Sequence, residues 1–148
     1  MTTNVTGYGW KLERGAATGA SLPVPNADSF SHVLDIEELT PPSATRETEE
    51  RFVLDLVSSK KFLGAVSWQP VKAKLLWAEL DTVHYSLEAD SYAPSPSGRR
   101  NYRVSSLTSS RVYNFVGFVS KYEFEAITNQ GVVAYNLEIA VDGQVTVS

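Results

Sequence analysis

The chain has 148 residues, enough for one domain with a sizeable core, and its 43% apolar and 20% charged content is that of soluble globular proteins. A formal net charge of −4 argues against a protein built to grip nucleic acid, which needs a surplus of Lys and Arg, but not against one that nucleic acid slides past. With no cysteine, disulfides, thiolate nucleophiles and Cys-ligated metals are excluded as well.

Residues 1–30 show little periodicity and many small residues, among them Gly7, Gly9, Gly15, Gly19, Pro23 and Pro25. No basic stretch followed by an apolar one occurs there, so a soluble, unprocessed chain is expected. Such a segment buries little apolar surface alone and reads either as a plain tail or as an arm ordered by a partner. The alternation of Tyr8, Trp10 and Leu12 points towards the arm. The expected division is therefore an N-terminal arm over 1–30, involved in assembly, and a β domain over 31–148.

From Ser31 to Leu39 the pattern is strand-like, with Leu34 and Ile36 opposite Asp35 and Glu37. Thr40, Pro41, Pro42 and Ser43 end it, because neither proline can donate to a ladder. A second strand is predicted at Glu50 to Val57 and a third at Gly64 to Gln69, with a polar break at Ser58 to Lys61. Pro70 then changes the period. Val71, Leu75, Leu76 and Leu80 fall at helical spacing, so the one helix is predicted over Val71 to Asp81.

Val83 to Ala89 alternates again and is predicted as a strand. Pro94-Ser95-Pro96-Ser97-Gly98 forms a loop, followed by a strand near Tyr102 to Ser106. Arg111 to Ala126 is a long strand, with Val116, Phe118, Tyr122 and Phe124 expected towards the core and Lys121, Glu123 and Glu125 away from it. Asn129, Gln130 and Gly131 supply a turn. Val132 to Asp142 returns with Val133, Tyr135, Leu137, Ile139 and Val141 opposite Asn136 and Glu138, and a short strand follows Gly143. The expected fold class is all-β with one short α-helix, an antiparallel β-sandwich or open barrel.

Catalytic chemistry is not written in these residues. His32 and His84 are the only histidines, each alone on a polar strand face, which reads as a surface or interface histidine. No phosphate loop and no nucleophile elbow is present. Glu123, Glu125 and Glu138 alternate as carboxylates on a solvated strand face do. Arg99, Arg100 and Arg103, near Tyr92, Tyr102 and Tyr113, are the one basic cluster; three arginines in an acidic chain make a weak stacking platform for single strands. No catalytic residue, metal ligand or cofactor is assigned.

The succession of short motifs resembles the tail tube (major tail) proteins of long-tailed bacteriophages, of the non-contractile, phage lambda tube-protein-like type. Gly9-Trp10-Lys11-Leu12-Glu13-Arg14-Gly15 resembles that family's "T-x-L-x-R-G" opening. Val33 to Thr48, with its Pro41-Pro42 turn and the run Ser43-Ala44-Thr45-Arg46-Glu47-Thr48, is similar to its strand, proline turn and "S-R-D/E-T" run. Gly64-Ala65-Val66-Ser67-Trp68 before Pro70 resembles "G-x-V-S" ahead of the family's single helix. Asn114 to Phe124 resembles its "F-x-G-x-V-x-x-F" penultimate strand. Ala16-Ala17 departs from the usual Asp-Gly, and the loop before Asn101 is longer than the family's.

The resemblance implies a structural virion protein and not an enzyme, stacking as hexameric rings into the tube through which DNA is ejected. It also implies tape measure, tail terminator and tail tip proteins as partners, no membrane, assembly in the host cytoplasm and a final place in the phage tail. A tube protein of a contractile tail or of a secretion system shares this logic, and an oligonucleotide-binding β-barrel is the alternative of another class. Under the ring reading, Glu123, Glu125, Asn136 and Glu138 face the lumen. Contacts between subunits and rings are expected from Tyr8, Trp10, Leu12, Arg46, Glu47, Glu49, Arg51, Lys60 and Lys61.

Overall fold

A computed structural model describes residues 9–52, 59–77, 81–106, 110–129 and 131–148. In chain order the strands are β1 (Trp10–Thr18), β2 (Phe30–Val33), β3 (Ile36–Thr40), β4 (Ser43–Phe52), β5 (Ser59–Gln69) and β6 (Val71–Leu76). The helix α1 (Thr82–Ser91) follows, then β7 (Arg100–Ser106), β8 (Val112–Phe124), β9 (Ala134–Val141) and β10 (Thr146–Val147). A 3-10 turn at Pro25–Ala27 interrupts the loop after β1. Mostly antiparallel sheet with one short helix is the class expected from the sequence.

One eight-stranded antiparallel sheet runs β2-β1-β7-β8-β9-β6-β3, with β10 laid on β8. Its two ends, β2 and β3, are neighbours in sequence. Asp35, at φ 60°, turns the chain between them, and three Cα steps from Val33 to Ile36 span at most about 11 Å. Two edges tied that closely force the sheet to curl into an open barrel. The expected single strand over 31–39 is thus two strands, broken at Asp35 and sent to opposite ends of the sheet.

Inside the curl lie Leu12, Val33, Val71, Leu75, Tyr102, Val104, Phe115, Tyr135, Leu137 and Ile139, each at most 3% exposed. Period-2 alternation places them. In β6, Val71, Ala73 and Leu75 point in while Lys72 and Lys74 point out. Six consecutive rungs join β6 to β9, so residues 71–76 are strand and not the expected helix. Pro70 precedes a strand here, a position where its missing N–H also costs nothing.

The helix instead begins at Thr82, capped by the Asp81 side chain, which accepts from the Val83 N–H at 2.9 Å. Its inward residues are His84, Leu87 and Asp90, spaced i, i+3, i+6. The strand expected over Val83 to Ala89 is therefore helical. Two of its three buried positions are polar, which hides the helical stripe among alternating residues.

In β8 the pairing to β9 slips between Val119 and Lys121. The bulge at Ser120 reverses the faces. Before it Phe115 and Val119 are buried, and after it Tyr122 takes the core side. Val116 and Phe118 consequently leave the core face expected for them, and Phe118 is 44% exposed. Gly117 sits where the backbone of β9 comes closest: a Cβ there would run into the carbonyl oxygen of Ala140.

Candidate assembly surfaces

The hairpin β4–β5 stands apart from the main sheet as a two-stranded ribbon. Pro41-Pro42 on one side and Pro70 on the other stop the β3–β6 ladder at Thr40↔Lys72, and pairing resumes at Ser43↔Gln69. Ten residues of β4 at strand rise make the ribbon about 34 Å long. All of β4 whose side chains are described is exposed, and so is β5 from Lys61 to Leu63. Leu63 is 80% exposed. Gly64 marks a bulge where the strands nearly touch; a Cβ there would sit 2.6 Å from the Glu47 carbonyl oxygen. Near the ribbon's base, Ala44, Arg46, Val66 and Trp68 face Gln144 and Val145 of the body.

Four of the expected contact residues, Arg46, Glu47, Glu49 and Arg51, project from β4, and Lys61 from β5. Lys60 is placed by its pairing with Arg51 in the ladder. Arg51 and Glu49 close an ion pair of 2.6 Å along the strand. The ribbon thus combines charge with exposed Phe62, Leu63 and Val66.

The expected N-terminal contacts lie elsewhere. Tyr8 falls outside the described residues. Trp10 opens β1 and packs on the core, and Leu12 is fully buried, paired with Val33 on one side and Val104 on the other. β1 therefore sits inside the main sheet, and removing it would part β2 from β7. Beyond it, Asp28 anchors the loop that precedes β2. Burial pushes its carboxyl pKa up, but bonds from Asn101 (3.0 Å) and the N–H groups of Ala17 (3.2 Å) and Ser29 (2.8 Å) hold it below its ordinary value.

A second surface is the outer face of β3, β6, β9 and β8. Across it Thr40, Lys72, Glu138 and Lys121 form one cross-strand row, and Glu38, Lys74, Asn136 and Glu123 the next. All four expected lumen residues are brought together here, with Glu125 just beyond the end of β8. The lysines are matched by carboxylates: Lys72–Glu138 at 3.6 Å, Lys74–Glu125 at 3.4 Å and Lys121–Glu123 at 3.1 Å. Glu125 raises the Lys74 pKa, helped by Glu37, and Glu123 raises that of Lys121, helped by Glu138.

The basic cluster is spent inside the fold. Arg99 pairs with Asp142 at 2.8 Å and donates to the carbonyls of Gly19 and Ala20. Arg100 reaches Asp90 and the carbonyls of Gly15 and Ala16. Arg103 donates to Asn114 and lies 4.1 Å over the Phe30 ring. Tyr102 is in the core, where burial pushes its phenol pKa well up. A stacking platform for single strands is not what these residues build.

His84 is not a surface histidine. It is fully buried in α1, its Nε2 3.1 Å from the Leu34 carbonyl and its Nδ1 2.9 Å from the Tyr135 hydroxyl. A carbonyl can only accept, so Nε2 is the donor to Leu34, while Nδ1 and the Tyr135 hydroxyl share a second hydrogen bond. The ring fastens the helix to both the β2–β3 link and β9. At the helix's other end Asp90 takes a bidentate contact from Arg14 (2.7 and 3.1 Å) and a third from Arg100 (3.0 Å).

A scan against protein-family models finds no match, and a search of the curated proteins finds none. Solved structures do match over the whole fold. The chain superposes on one from the six-fold symmetrised baseplate of the anti-feeding prophage (AFP) with a TM-score of 0.74, at 10% identity, covering 100% of this chain and 97% of that one. A chain from the tail of an empty GTA particle, determined with C6 symmetry, gives 0.68 at 13% identity and 98% and 99% coverage. The SPP1 tail tube gives 0.58 at 13% identity, covering 97% of this chain and 78% of that one. Structures of an extracellular contractile injection system also match. The fold is therefore that of tail and injection-system tubes at large, and not of the non-contractile lambda-like type in particular.

Proposed function

We propose that the chain is a structural tube subunit that assembles with copies of itself, as stacked hexameric rings, into the tail of a virion or virion-like particle. The β4–β5 hairpin carries this reading. A lone two-stranded ribbon is marginal in water, and one this long with both faces solvated calls for a second surface to lie on. The six-fold symmetry of the AFP baseplate and the GTA tail supports a hexameric ring, in which ring closure would also cover the sheet ends at β2 and β3. The AFP tube-terminating cap, whose chain matches at a TM-score of 0.70, supports a terminator among the partners, beside tape measure and tip proteins.

In such a ring the polar face of β6, β9 and β8 lines the bore, with Glu123, Glu125, Asn136 and Glu138 towards DNA in transit. A chain purified and concentrated should form hollow tubes with a regular axial repeat in negative-stain images. Monomers that stay monomeric at every concentration and salt would end the reading.

A further inference from the structure

We propose that the outer face of β6, β9 and β8 is a charge-compensated surface over which a polyanion passes without capture, and that Glu138 is the residue that keeps it so. The inference rests on the tube reading for its setting, but its chemistry stands on this face alone. Three lysines project here, and each, left unpaired, would offer a contact to a phosphate. Each ammonium, however, has a carboxylate within 3.1 to 3.6 Å. Glu138 serves two of them: it pairs with Lys72 at 3.6 Å, stands opposite Lys121 in the β8–β9 register, and adds to the field that raises the Lys121 pKa.

A phosphate approaching Lys72 must displace Glu138 of the neighbouring strand, and one approaching Lys121 must displace Glu123 two residues along the same strand, each held at high local concentration. The three lysines stand among four carboxylates, Glu38, Glu123, Glu125 and Glu138, so an incoming strand meets no net attraction, and at distances beyond a Debye length of about 8 Å what field remains is screened. The bulge at Ser120 is what builds the device. It puts Lys121 and Glu123 on the outer face together with Glu138, where an unbroken strand would place them among the core residues.

The test is DNA binding by the purified chain, measured by fluorescence anisotropy on a short duplex across a salt series. The double variant Glu123→Gln, Glu138→Gln leaves Lys72 and Lys121 uncompensated. It should bind the duplex at least tenfold more tightly than the parent at low salt, with log K against log salt steeper by about two. Adding Lys72→Gln and Lys121→Gln should return binding to the parental level. A control with the same change in net charge, Glu47→Gln with Glu88→Gln, alters carboxylates that form no ion pair among the described residues, and should bind as the parent does. Equal affinity of the double variant and the control, or a parent that already binds as tightly as the double variant, overturns the proposal. Because the measurement needs no tube, its failure is distinguishable from a failure to polymerise.

Discussion

Single side chains do the fastening in this domain, and their protonation states matter. Asp28 accepts three bonds at the corner where the loop from β1 returns to β2. Its pKa in the fold is lowered below the ordinary 3.8. A depressed carboxyl contributes stability that is complete above the unfolded pKa and is lost as pH falls through the folded one. Asp28→Asn should therefore cost about 1 kcal/mol at pH 7, a partly exposed site being screened. That corresponds to a drop in Tm of roughly 2–4 °C. The gap between variant and parent should close below about pH 4, as the parent's carboxyl protonates. Thermal melts at pH 7 and pH 3 check both halves, and a gap that widens in acid would contradict the assignment.

At the scale of elements, α1 is held by polar ties at both ends with Leu87 between them. Asp90 is 6% exposed and compensates two arginines that are themselves nearly buried. Removing one member of such a group leaves buried charge unmatched, at a cost of about 3–5 kcal/mol. Asp90→Ala should destabilise by about that amount in chemical denaturation, whereas Tyr92→Ala, at an exposed position two residues on, should change stability by less than about 0.5 kcal/mol. The same polar ties explain what was legible beforehand. Period-2 alternation marked β9 because its burial follows the pleat from Tyr135 to Ile139. It misled at Val83 to Ala89, since a helix that buries His84 and Asp90 has no apolar stripe to betray it. At Val71 it was the helical spacing that misled, since Val71, Leu75 and Leu76 fit a helical period while the strand's own burial alternates. Asp35 and Ser120, where the chain changes ends or faces, are set by tertiary pairing, and no local pattern carries that information. That Asn136, Glu138 and Glu123 share one outer face was legible because β9 alternates from Tyr135 to Ile139 and its pairing fixes the face of its neighbours.

At the scale of the whole molecule, the curled sheet and the ribbon divide the work. The curl buries a core of its own. The ribbon buries almost nothing and leaves Leu63 80% and Phe62 43% exposed. A leucine that exposed contributes little to stability, so Leu63→Glu should shift Tm by no more than about 1–2 °C. In the proposed tube, with that position covered by the next subunit, the same change would bury an unpaired carboxylate against a packed surface, at a cost of several kcal/mol per contact. Repeated around every ring, that cost should prevent polymerisation. The parent chain should give tubes and a large sedimentation coefficient, and Leu63→Glu a folded monomer with the same circular dichroism. Tubes of normal length from the variant would show that the tip-ward half of the ribbon lies in solvent in the assembly, and would move the inter-ring contact to the other exposed apolar groups, Ile127 and Val132 in the β8–β9 turn.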